Sequence, residues 1–91
     1  MREWWEVTDD LNQEVVPQLD DDTRGFARGL HSGGEGVIFA AVVLDAAADS
    51  EAVVRPELLD DVEQVILPDA DGSDREELVS ALAALRRPVA V

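Results

Sequence analysis

Apolar residues recur along this chain at intervals of three and four, the spacing that gives a helix one buried stripe. In residues 3–16, EWWEVTDDLNQEVV, Trp4, Leu11 and Val15 share a stripe with Val7 and Leu19 beside it, and Pro17 breaks or restarts the helix. The following stretch, LDDDTRGFARGLHSGG, has Asp20 to Asp22 where an N-cap and first-turn acids belong. Phe26 and Leu30 are spaced four apart there, and Gly33-Gly34 provides a stop. Gly25 and Gly29 weaken this short helix by about 1 kcal/mol each relative to Ala, unless they let a neighbouring helix approach closely.

EGVIFAAVVLDAAAD is the most apolar segment. Val37, Ile38, Ala41, Leu44 and Ala48 keep helical spacing, and Val42 and Val43 widen the band, so a central helix with little exposed circumference is expected. A buried strand through VIFAAVVL competes, because β-branched residues crowd there, and the Ala residues at 46–48 favour the helix. RPELLDDVEQVILP follows, with Pro56 at a first helical position and Leu58, Leu59, Val62, Val65 and Ile66 on one face. Pro68 ends it. In the last segment Ser73 and Glu76 have capping-box spacing, Leu78, Leu82 and Leu85 form a stripe, and Arg86 and Arg87 suit a helix C-terminus. The segments are joined by short loops without a hairpin signal, which predicts an all-α fold, a small bundle of four to five helices in one domain over residues 1–91.

Composition narrows the function. There are 91 residues, 46% hydrophobic, with no cysteine, so neither a disulfide framework nor a thiolate metal site can form. MREWWEVTDD carries acids and lacks an apolar signal-peptide core, and the apolar run from Val37 to Leu44 is too short to span a bilayer. A cytoplasmic protein with no membrane partner is expected. Asp and Glu number 21 against seven basic residues, all Arg, for a net charge of −14. Such a surface repels nucleic acid and anionic lipid and attracts cationic surfaces. The plainer alternative, that the acids serve only solubility, stays open.

The inventory for catalysis is thin. His31 is the only histidine, and no serine or threonine stands in a nucleophile motif. His31 and Ser32 are adjacent, and adjacent side chains on a helix do not face each other. His31 therefore reads as a helix-end residue, and the protein as no enzyme and without cofactor. DADGSD, residues 69–74, resembles the opening of a calcium loop, but Gly72 falls two positions early and Ser80 stands where a bidentate glutamate is required. No metal site is expected there. HSGGEG, residues 31–36, has the glycines of a phosphate cradle but places Glu35 where the anion would sit, with no lysine in the chain. It reads as a joint between two helices, with a left-handed glycine C-cap followed by an acid in the next first turn.

From FARGLHSGGEG through VIFAAVVLDAAADSEAVVRPELLDDVEQVI, the chain resembles the MafI family of small bacterial immunity proteins. The markers are Gly34-Glu35, Ala40 or Ala41, Leu44, Leu58 or Leu59, and Val62, over roughly half of the sequence. Gly33, Gly36 and the Ala run at 46–48 depart from the family pattern. The resemblance implies a cytoplasmic protein that binds and blocks the toxic domain of a partner, commonly a nuclease. An acidic surface complementary to a basic cleft agrees with that implication and needs no catalytic group. The acids expected to contact a basic protein partner are Glu35, Asp45, Asp49, Asp60, Asp61 and Glu63. Trp4 and Trp5 point about 100° apart on a helix, so one can be core while the other sits partly exposed, and both are candidate partner-binding residues because Trp is enriched at interface hot spots. A competing expectation is a small acidic interaction or regulatory module, homodimeric through the apolar band at residues 37–44.

Overall fold

A computed structural model of the protein describes residues 2–87; residue 1 and residues 88–91 of the expected domain lie outside the described part. Helix α1 (Trp4–Glu14) leads through a 3-10 turn (Val16–Gln18) to α2 (Asp21–Ser32), α3 (Gly36–Ser50), α4 (Pro56–Asp61) and α5 (Gly72–Leu85). Between α4 and α5 the chain winds through a π turn (Val62–Ile66) and a 3-10 turn (Leu67–Asp69), and the described residues contain no strand. The expected all-α bundle is the fold found. VIFAAVVL is helical throughout, which removes the strand alternative.

Local chemistry explains most boundaries. At α1 the Glu6 carboxylate accepts the Glu3 N–H at 3.0 Å, closing a capping box around the first turn. Pro17 has no N–H to continue the helix and starts the 3-10 turn instead. Asp20 caps α2, its carboxylate accepting the Thr23 N–H at 2.9 Å, with Asp21 and Asp22 in the first turn. The π turn lies one turn ahead of Pro68, where the Leu67 N–H reaches the Val62 carbonyl. A proline ring clashes with the carbonyl four residues back, and widening the helix relieves that clash. The capping box expected at Ser73 and Glu76 does not form. Gly72 takes a left-handed φ of 55° and already belongs to the helix, so Asp71 is the flanking residue and Ser73 lies inside the first turn.

Helix α3 is the axis of the bundle, packing most extensively on α5 and then on α2 and α1. Phe39, Ala40, Ala41, Val43, Leu44 and Ala47 are buried on it, a wide face that fits a helix covered on several sides. They join Val7, Leu11, Val15 and Val16 from the first helix and the turn after it, Leu58 and Leu59 from the fourth, Val62 and Ile66 from the π turn, and Leu78, Ala81 and Leu82 from the last. Alanines at 40, 41 and 47 let these elements approach α3 closely, while Phe39 fills the space near the joint with α2. Most of the band at residues 37–44 is thus buried within the chain. Ile38, expected in the stripe, is exposed, because the buried face is centred one residue further along, on Phe39 and Val43.

Two further expectations are corrected on α2. Phe26 does not point inward; it is 60% exposed, and Ala27 takes the buried position. Gly25 and Gly29 are not close-approach sites either, since a Cβ at either would meet nothing within 4 Å. No helix among the described residues is long and apolar enough to cross a membrane.

Candidate functional site

The joint HSGGEG is a Schellman ending. Gly34 takes φ 75°, the Glu35 N–H bonds the Leu30 carbonyl at 3.1 Å and the Gly34 N–H bonds the His31 carbonyl at 3.2 Å. Glu35 then becomes the exposed residue flanking α3, and Gly36 opens that helix. Gly36 is required by packing: a Cβ there would lie 2.9 Å from Cε3 of Trp4. The indole of Trp4 therefore lies across the start of α3. The side chain of His31 turns back to α1, its Nε2 2.7 Å from Oδ1 of Asp9, and its ring stacks obliquely on Phe39 at 5.2 Å.

Trp4 remains 43% exposed and Trp5 52%. Neither is in the core, because the inward positions begin one turn later, at Val7 and Leu11 of α1 and Val15 just after it. Trp4 separates two small cavities. One, of about 190 Å3, is lined by Trp4, Gly34, Gly36, Val37, Ile66 and Asp69. The other, of about 140 Å3, is lined by Trp4, Trp5, Thr8, Asp9, His31, Gly34, Gly36 and Phe39.

A wider groove, of about 520 Å3, runs between α2 and α3. Its walls are Asp20, Asp22 and Thr23 from the start of α2 and Asp45, Asp49 and Ser50 from the end of α3, with Phe26, Val42 and Ala46 as its apolar part. Asp45 and Asp49 are one helical turn apart, as are Asp22 and Phe26, so each pair shares a face. Asp20 is held below the ordinary carboxylate range by the hydrogen bond from the Thr23 N–H, reinforced by the Thr23 hydroxyl.

The expected partner-binding acids divide into two groups. Asp60 and Glu63 are both engaged by Arg86, at 2.6 and 3.0 Å, and Asp61 by Arg2 at 3.0 Å. The Arg86 guanidinium is held in its charged form by Glu63 first and then by Asp60. These acids therefore brace α4 against α5 and the N-terminal segment, so their charge is largely neutralised within the chain. Asp45, Asp49 and Glu35 have no ion-pair partner among the described residues. Arg55 similarly engages Glu14 at 2.6 Å, while Asp10 lies between Arg2 and Arg55. Arg24 and Arg28 are carried by α2, Arg24 pairing with Asp21, but no arginine is among the residues that line the α2–α3 groove, whose charged walls are acidic.

Phe26 is the residue that sequence reasoning misplaced and that the groove displays. Phe26 and Ala27 each pair with Leu30 at a helical spacing, four and three residues, so the pattern alone does not distinguish which of them faces inward. No group of carboxylates and histidine among the described residues is arranged to hold a metal ion. Comparison of the chain with protein-family models, with curated proteins and with solved structures finds no match.

Proposed function

We propose that this protein is an inhibitor of the immunity-protein kind, which binds a basic toxin domain and occludes its cationic cleft with the α2–α3 groove. The observation that carries this reading is the groove itself: the unpaired Asp22, Asp45 and Asp49 surround the exposed ring of Phe26. A monomer gains nothing in stability from a half-exposed phenylalanine among like charges, whereas an interface uses an aromatic anchor inside a charged rim. The net charge of −14 supplies long-range attraction to a basic surface and fast association. Inhibition by occlusion needs no catalytic group and no cofactor.

The resemblance to the MafI family supports the reading at the level of fold more than of contact. Among its markers Ala40, Ala41, Leu44, Leu58, Leu59 and Val62 are core residues here and carry packing, whereas Gly34 and Glu35 are exposed at the joint. Asp45, Asp49 and Phe26 carry the proposed contact, and Asp60, Asp61 and Glu63, occupied by arginines, do not.

The test is capture from source lysate by tagged protein at low and high salt, followed by co-expression of the captured protein with wild type or with Phe26→Ala/Asp45→Asn/Asp49→Asn. The reading expects a basic protein, released by salt, whose toxicity wild type suppresses and the triple variant does not. Equal protection by the variant would place the inhibitory surface elsewhere, and a non-basic, salt-insensitive partner would refute the electrostatic mechanism.

A further inference from the structure

The cavity of about 140 Å3 at the HSGGEG joint has the composition of a cation receptor. Three partly exposed aromatic side chains, Trp4, Trp5 and His31, contribute to its walls together with Asp9, and the buried Phe39 lies behind them. Gly34 and Gly36 contribute no side chain, and no arginine lines the cavity. The faces of indole rings attract cations, tryptophan most strongly, and guanidinium groups in particular stack on them. Asp9 engages His31 through Oδ1 alone, so its second oxygen is uncommitted among the recorded contacts.

The volume is that of a small polar head group and excludes a drug-sized molecule. Both tryptophans stay roughly half exposed, so the cavity is open to solvent and to an incoming side chain. We infer that this aromatic cavity is a receptor for one guanidinium group, the side chain of an arginine presented by the protein's basic partner. The arginine source rests on the inhibitor reading above; the preference of the cavity for a guanidinium does not, and is measured without any partner.

The experiment titrates the isolated protein with ethylguanidinium chloride and, in parallel, with ethylurea, a neutral molecule of nearly the same shape, at constant ionic strength set with sodium chloride. Tryptophan emission reports directly, since both indoles line the cavity. The expected result is a saturable change with ethylguanidinium and binding of ethylurea at least about fivefold weaker, the contribution of a partly desolvated cation–π contact. Trp5→Ala removes one wall and leaves Trp4 as reporter; Asp9→Asn removes the charge and leaves both indoles. Each is expected to weaken ethylguanidinium binding by about threefold or more while circular dichroism and melting confirm a folded chain. Equal affinity for the two probes, a non-saturating response, or wild-type affinity in both variants overturns the inference. If ethylguanidinium binds as expected while no basic protein is captured, the inhibitor reading fails and the receptor stands; if a basic partner is captured while ethylguanidinium does not bind, the receptor fails and the inhibitor reading stands.

Discussion

Replacing Gly36 with alanine separates what a glycine does locally from what it does in the fold. Alanine is the better helix former, by up to about 1 kcal/mol in a helix interior and by less at a first-turn position such as this one. In the structure the new methyl would lie 2.9 Å from Cε3 and 3.1 Å from Cζ3 of Trp4, a separation the indole can relieve only by moving away from α3. A fully buried tryptophan covers roughly 150–250 Å2. With 43% of Trp4 exposed, the covered part is on the order of 85–140 Å2, and its complete release costs about 2–3.5 kcal/mol at about 25 cal/mol per Å2. Partial release, offset by the helical gain, predicts a net loss of about 1–2.5 kcal/mol.

The assay is urea or thermal unfolding, where about 1 kcal/mol corresponds to roughly 4–8 °C in a domain of this size. Tryptophan emission of the folded variant should also shift to the red as Trp4 gains solvent. Gly25→Ala and Gly29→Ala are the internal controls: both sites are exposed, with nothing within 4 Å of a Cβ, so each should stabilise by about 0.5–1 kcal/mol. In a Trp4→Ala background Gly36→Ala should cost nothing or stabilise slightly, giving a coupling of about 1–2 kcal/mol between the two positions. If Gly36→Ala in the wild-type background is as stabilising as the two controls, the contact with Trp4 is not what requires glycine there.

Glu51 ends α3 with φ 58°, a left-handed conformation that costs a side-chain-bearing residue about 1–2 kcal/mol. Glu51→Gly relieves it at the expense of a more flexible unfolded chain, for a net gain of about 0.5–1 kcal/mol that should appear as a raised urea midpoint with an unchanged slope; a lowered midpoint would reveal a Glu51 contact that outweighs the strain. Glu14, held down by hydrogen bonds from Arg55, and Asp20, held down by the Thr23 N–H, both bind a proton less readily in the folded chain. Their contributions are therefore present above the ordinary carboxylate range and lost as pH falls through the depressed folded values. The melting-temperature gap between wild type and Glu14→Gln or Asp20→Ala should begin to narrow as pH falls into the ordinary carboxylate range, about pH 4, and go on narrowing below it, and a gap independent of pH would show that neither charge contributes.

The sequence by itself determined the helices, most of their ends and the sign of the surface. Those features depend on near neighbours or on composition: prolines at 17, 56 and 68, the Asp20 cap, the left-handed glycine at 34, and acids outnumbering arginines threefold. Periodicity also placed Leu11, Leu44, Leu58 and Leu82 in the core, because a long aliphatic side chain at repeated helical spacing has no better environment. Only the tertiary structure decided which of two adjacent candidates faces inward, turning Ala27 in and Phe26 out, and leaving both tryptophans half exposed at the rim. It alone decided which acids are paired, since Arg86 reaches Asp60 and Glu63 from 26 and 23 residues away while Asp45 and Asp49 face a groove without an arginine. HSGGEG divides in the same way, a joint by local rules and a close seat for Trp4 by contact. The reason is range, because helix propensity and capping are settled within one turn, whereas burial and charge pairing depend on residues that only the folded chain brings together.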